Sequence, residues 1–175
     1  MNITYIYSKY IIVLTVFLIL FSGGCFRNET IYSHKGDILQ IVASAVEEVE
    51  SVLYSDGGKT YEIKPSEDGL VLAMVNTRII NQRSTQISLS VDNEAAKLTM
   101  KDGPEVYSFG YMDRGVEVDL VIPDDYSYGP FVWGAIAIPL GYEISGWMIF
   151  EVPKESDYLA FIWEDADFVR IMYQR

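Results

Sequence analysis

SGWMIFEVPKESDYLAFIW, residues 145–163, is the stretch on which the fold turns. Two runs rich in aromatic and aliphatic residues, SGWMIFEV (145–152) and YLAFIW (158–163), flank the polar turn formers of PKESD. Runs of this length and composition, bounded by turn chemistry, read as β-strands. Pro153 has no N–H to give to a ladder, so it ends the first of them. Gly146, near the start, marks a bulge or a close approach of another backbone. Trp147, Phe150, Tyr158, Phe161 and Trp163 are large enough to fill the space between two packed sheets.

Outward from there the signature repeats. FVRIMY (168–173) follows the turn EDAD (164–167). In LVLAMVNTRIIN (70–81), Val71, Ala73, Val75, Thr77 and Ile79 alternate with residues that become polar only toward Asn76 and Arg78. Ile87, Leu89 and Val91 alternate with Ser88 and Ser90, and Val116, Val118, Leu120 and Ile122 oppose Glu117 and Asp119. The turn signals NQRS, VDNE, KDGP, DRG, PDDYSYGP and PLGY fall between the runs. Short strands at this spacing, without alternating helices, predict an all-β sandwich or barrel. GDILQIVASAVEEVESVLY (36–54) reads two ways. Its apolar residues recur at helical spacing behind a capping Asp37, while its β-branched residues and β-rich surroundings favour a strand.

The N-terminus reads as an export signal. The apolar run Tyr10–Phe21 has 12 residues, preceded by Lys9 and followed by Ser22, Gly23 and Gly24. A bilayer span takes about 20 residues, whereas a signal-peptide core takes roughly 7–15. The alternative, an uncleaved anchor, extends the segment back through residues 3–7 across a snorkelling Lys9. LFSGGC (20–25) resembles the lipobox of prokaryotic lipoproteins, with Gly23 and Gly24 at the small positions and Ser22 where an aliphatic residue is usual. The resemblance implies lipidation of Cys25. This is the chain's single cysteine, which can form no internal disulfide. The organisation expected is a signal peptide over 1–24, a lipid-anchored tether over 25–36 and one folded domain over 37–175. Asn28-Glu29-Thr30 in the tether is a candidate N-glycosylation site at Asn28.

IPLGYEISGWMIFEVPKESDYLAFIW (138–163) resembles the most recognisable part of a telokin-like, immunoglobulin-like extracellular domain family found in prokaryotic surface lipoproteins. Pro139, Gly141 and Glu143 stand at its turn, and Gly146 with Phe150-Glu151-Val152-Pro153 at its strand end. Tyr158 and Leu159 follow. Asn81 ends a strand as in that family, and Lys101-Asp102-Gly103 through Tyr107 resembles its turn. Leu140 and Tyr142 depart from the compact Pro-Gly-Glu pattern. The resemblance implies an immunoglobulin-like antiparallel β-sandwich on the extracytoplasmic face of the cell membrane, with residues 36–54 as a bulged first strand. It implies no activity.

The residues point away from catalysis. The only histidine, His34, falls in the expected tether, leaving no base for a nucleophilic triad. No phosphate-cradling loop, Cys pair or His-rich metal motif is present, so neither cofactor nor metal is expected. Paired carboxylates acting as a hydrolase stay as a remote alternative. Residues 25–175 hold 12 Lys and Arg against 25 Asp and Glu, a net charge of −13, which repels nucleic acid. Two constellations remain. DDYSYGPFVW (124–133) offers Tyr126, Tyr128 and Trp133 as partner-binding aromatics, unless Phe131 and Trp133 simply turn inward. Glu164, Asp165 and Asp167, with Asp124-Asp125 elsewhere, have the oxygen chemistry for Ca²⁺ but lack EF-hand spacing, so a solvated turn is the plainer reading. The function expected is binding of an envelope protein or glycan, the rival being a purely structural envelope lipoprotein.

Overall fold

The computed structural model describes residues 30–126 and 128–173, which form fourteen strands and no helix. The spine is β6 (Leu70–Asn81) against β12 (Glu143–Pro153), antiparallel in continuous register from Leu70–Pro153 to Ile80–Glu143. The other edge of β6 is shared by β2 (Leu39–Ser44) and β3 (Glu47–Val49). Ala43 lies opposite Thr77 and Glu47 opposite Met74, so the outer chain advances one residue more than its partner. That is a β-bulge. Ser44 repairs the ladder there: its hydroxyl accepts the Asn76 N–H at 3.0 Å and donates to the Ala45 carbonyl at 2.8 Å.

A second sheet, in the order β14 (Val169–Met172), β13 (Tyr158–Trp163), β8 (Ala96–Met100), β9 (Val106–Tyr107), faces the spine. The pair β7 (Gln86–Val91) and β11 (Gly134–Pro139) closes the same core. All ladders between these strands are antiparallel, and the molecule is an all-β antiparallel sandwich. Phe150, Phe161 and Trp163 are fully buried between its layers. Side chains of this size each contribute about 1.5–3 kcal/mol on burial.

The spine is covered on both faces. Val71, Ala73 and Val75 enter the main core, while Leu72 and Met74 enter a second core with Trp147 and Ile149 of β12. A small sheet, β4 (Val52–Asp56), β5 (Lys59–Ile63) and β10 (Val116–Val118), packs over that second face. Double burial explains why LVLAM is uniformly apolar and why alternation starts only at Asn76.

Two readings left open by the sequence are decided and two expectations change. Residues 36–54 are not helical: they form the bulged strand β2–β3 and then leave the spine as β4, which pairs with β5. The expected tether over 25–36 is too long, because β1 (Ile31–Lys35) pairs with β2 throughout. Four of its five residues face water, so an edge strand has the composition of a linker. Only Tyr32 packs inward, meeting Tyr173 edge-to-face at 5.1 Å. The run Val116–Ile122 is strand only to Val118, and Val121 stands 91% exposed. Gly146 marks a close approach rather than a bulge: a Cβ there would lie 2.6 Å from the Pro130 carbonyl oxygen.

Candidate functional site

The free edge of β12 organises an aromatic surface. Trp147 donates its N–H to the Pro130 carbonyl at 2.8 Å and accepts from Val132 at 3.1 Å, pinning Phe131 beside it. Two residues on, the Phe109 N–H donates to the Ile149 carbonyl at 3.0 Å. The loop after Phe109 is clamped by Arg114, whose guanidinium lies 4.3 Å from the Phe109 ring centre and 2.9 Å from Glu151. Burial would raise the Glu151 pKa, but bonds from Ser66 and Arg114 outweigh it and hold the carboxyl below its usual range. Gly115 completes the clamp, since any side chain there would overlap the Tyr54 hydroxyl.

These constraints bring six rings together. Tyr111 stacks on Phe131 with centres 4.7 Å apart and meets Tyr54 edge-on at 5.1 Å, while Tyr54 stacks on Tyr61 at 5.2 Å. Tyr126 and Tyr128 close the other side, 5.5 Å apart. The Tyr126 hydroxyl accepts the Leu53 N–H at 2.6 Å, and its pKa is raised, chiefly by burial. The Tyr128 hydroxyl donates to Glu47 at 2.9 Å, and its ring lies edge-on to Trp147 at 4.9 Å. Between them opens a cleft of about 370 Å³, lined also by Pro130. Tyr126 and Tyr128 therefore share one surface. Trp133 does not line it; it packs on the main core above Gly110. Tyr54 and Tyr111 were not singled out by sequence, where each is a lone tyrosine beside a turn.

A wider groove of about 810 Å³ runs between the turn Asp92–Ala95 and the turn holding Glu164 and Asp165, with Tyr107 at its side. Its carboxylates have structural work. Glu164 and Glu105 each approach the Lys97 ammonium at 3.0 Å and raise its pKa, and that ammonium lies 5.6 Å over the Tyr107 ring. Asp165 accepts the Ser90 N–H at 2.8 Å, and Asp92 accepts the Glu94 N–H at 2.9 Å. Asp167 accepts from Ile38 and Leu39. Each carboxylate of the turn offered for Ca²⁺ thus engages a protein donor. Among the described residues no three His, Cys, Asp or Glu side chains are grouped to hold a metal ion.

Cys25 and Asn28 lie outside the described residues. No helix among the described residues is long and apolar enough to cross a membrane. His34 is exposed on β1, opposite Ile41. The architecture is an antiparallel β-sandwich that carries an aromatic-lined cleft. No family model, curated protein or solved structure matches the chain.

Proposed function

We propose that this chain is a membrane-tethered extracytoplasmic lipoprotein whose immunoglobulin-like domain binds an envelope protein or glycan through the aromatic cleft. One observation carries the reading: Tyr126 and Tyr128, singled out by sequence, converge with Tyr54, Tyr111 and Phe131 around a concave surface. Clefts lined by rings with a few polar tips are the common form of a binding site. Tyrosine suits contact surfaces because it carries apolar area and a hydroxyl on a stiff side chain. The rings are held by main-chain bonds and stacking, so little order remains to be imposed on binding.

The tether reading rests on LFSGGC and the short apolar run before it. A second acyl chain beside the thioether-linked lipid would make the attachment stable. No catalytic step is assigned, since the one imidazole stands on an edge strand. Cross-linking in intact cells, followed by capture of the full-length protein from solubilised membranes, tests the proposal beside Cys25→Ser and Tyr111→Ala. The expected result is an envelope protein or glycan on the anchored protein, lost with Tyr111→Ala. Recovery of the bait alone would leave a structural lipoprotein.

A further inference from the structure

The polar atoms on the side chains lining the cleft are all hydroxyls: those of Tyr54, Ser55, Tyr111, Tyr126 and Tyr128. Among the described residues no lining side chain is a carboxylate, amide, lysine or arginine. The Tyr126 oxygen already accepts the Leu53 N–H, so its own proton is the atom left to give. These hydroxyls can donate and accept, so a neutral saccharide would find hydrogen-bond partners here, but it would leave the carboxylates that flank the cleft without a counter-charge. A proline-rich segment offers carbonyl acceptors for the hydroxyl protons and flat apolar rings for the aromatic faces, and it can carry a basic side chain. Charge adds direction. Asp56 ends β4 beside the cleft and Asp124-Asp125 immediately precede Tyr126, all three exposed, in a chain whose residues 25–175 carry a net charge of −13.

Resting on the assignment of the cleft as the contact surface, we propose that its occupant is a proline-rich segment of a partner protein, in the polyproline II conformation, carrying a flanking basic residue. Such a segment is extended before it binds, so it loses little entropy on docking, and aromatic grooves are its usual receptors. The ring faces around Pro130 take the pyrrolidines, the Tyr126 hydroxyl donates to a ligand carbonyl, and the exposed aspartates take the basic side chain.

The test uses the full-length protein in detergent micelles and a library of twelve-residue peptides with a fixed Pro-x-x-Pro core and one flanking arginine. Controls replace both prolines by alanine, and a neutral gluco-oligosaccharide serves as the rival probe. The expected result is a saturable peptide that binds at least about tenfold more tightly than its alanine control, a difference of about 1.4 kcal/mol. Binding should weaken as salt rises and fall with Tyr126→Phe, which keeps the ring, and with Tyr111→Ala, each checked for folding by circular dichroism. Equal binding of proline and alanine peptides, no saturable member of the library, or indifference to both variants overturns the proposal. Saccharide binding abolished by Tyr111→Ala would overturn it while leaving the cleft a binding site. Failure of both probes, with bait alone recovered from cells, would remove both.

Discussion

Asp167 and Leu39 are 128 residues apart in sequence and 2.8 Å apart in space, the aspartate Oδ2 accepting the leucine N–H. The same oxygen accepts from Ile38 at 2.7 Å, and the other carboxylate oxygen accepts from Phe168 at 2.9 Å. One side chain thus fastens the β1–β2 turn to the β13–β14 turn and ties the edges of the two facing sheets. Gly36 leaves the room for it, because a Cβ there would overlap the carboxylate. Burial would raise the Asp167 pKa, but the N–H groups of Leu39, Ile38, Asp37 and Phe168 outweigh it and hold the carboxyl below its ordinary value.

Replacing Asp167 by Asn should destabilise the domain by about 1–3 kcal/mol at neutral pH, the range for partly buried donors losing a charged acceptor. The folded pKa is depressed, so this stabilisation is fully present above the unfolded value, about 4, and is lost as pH falls through the folded value. Urea midpoints of wild type and Asp167→Asn should therefore differ most near pH 7 and converge in strong acid. A gap that stays constant across that range would rule out the carboxylate as the clamp.

Asn81, fully buried at the end of β6, is expected to be equally intolerant. Its amide nitrogen donates to Ser84 at 2.7 Å and Ile138 at 2.8 Å, its amide oxygen accepts from Ser84 at 3.0 Å, and its main chain joins Gly141 and Tyr142. Asn81→Ala removes a partner from the Ser84 and Ile138 carbonyls and from the Ser84 N–H, at about 1–3 kcal/mol for each buried group left without one. Asn81→Asp keeps the acceptor but turns both donor contacts repulsive. Thermal melts should place both below wild type; an aspartate variant as stable as wild type would contradict the bonding pattern.

What was legible in sequence follows from which forces are local. Alternation at Ile87, Leu89 and Val91, the stop at Pro153 and the turns around them report one-sided burial and backbone chemistry, and all appear as strands and turns. The 36–54 segment was ambiguous because its register is set by β6 and by a bulge, neither of which is written in its own residues. β1 was hidden because an edge strand needs only one inward side chain. At the cleft, Tyr126 and Tyr128 were visible as a cluster near Pro130, whereas Tyr54 and Tyr111 come from separate loops and strands. Trp133 was grouped with them by proximity in sequence, but three residues suffice to cross β12 from one core to the other.

Gly146, the one glycine of the spine, has no room for a side chain. Gly146→Ala would bring a methyl to 2.6 Å from the Pro130 carbonyl and 3.1 Å from Val132. Since main-chain atoms of Pro130 and Phe131 are among the nearest neighbours, relief requires segment 130–132 to move off β12, at about 1–3 kcal/mol as for other overpacked sites. Trp147, which bonds that segment on both its N–H and carbonyl, should report the movement as a shifted fluorescence maximum along with a lower melting temperature. Wild-type melting and emission together would show that the contact yields freely.

The two cores should unfold as one, because they share a strand. Leu72 and Met74 of β6 point into the second core while Ala73 and Val75, alternating with them, point into the first, so neither face can be lost without the other. Leu72→Ala, in the second core, and Leu98→Ala, in the first, each remove a fully buried side chain and should cost about 2–5 kcal/mol. For a domain of this size each kcal/mol lowers the midpoint by about 2–4 °C. Tyrosine and tryptophan near-ultraviolet dichroism and far-ultraviolet dichroism should give coincident transitions in both variants, the mark of two-state melting. Two separated transitions in Leu72→Ala would mean that the small sheet of β4, β5 and β10, with the cleft it supports, opens independently of the sandwich.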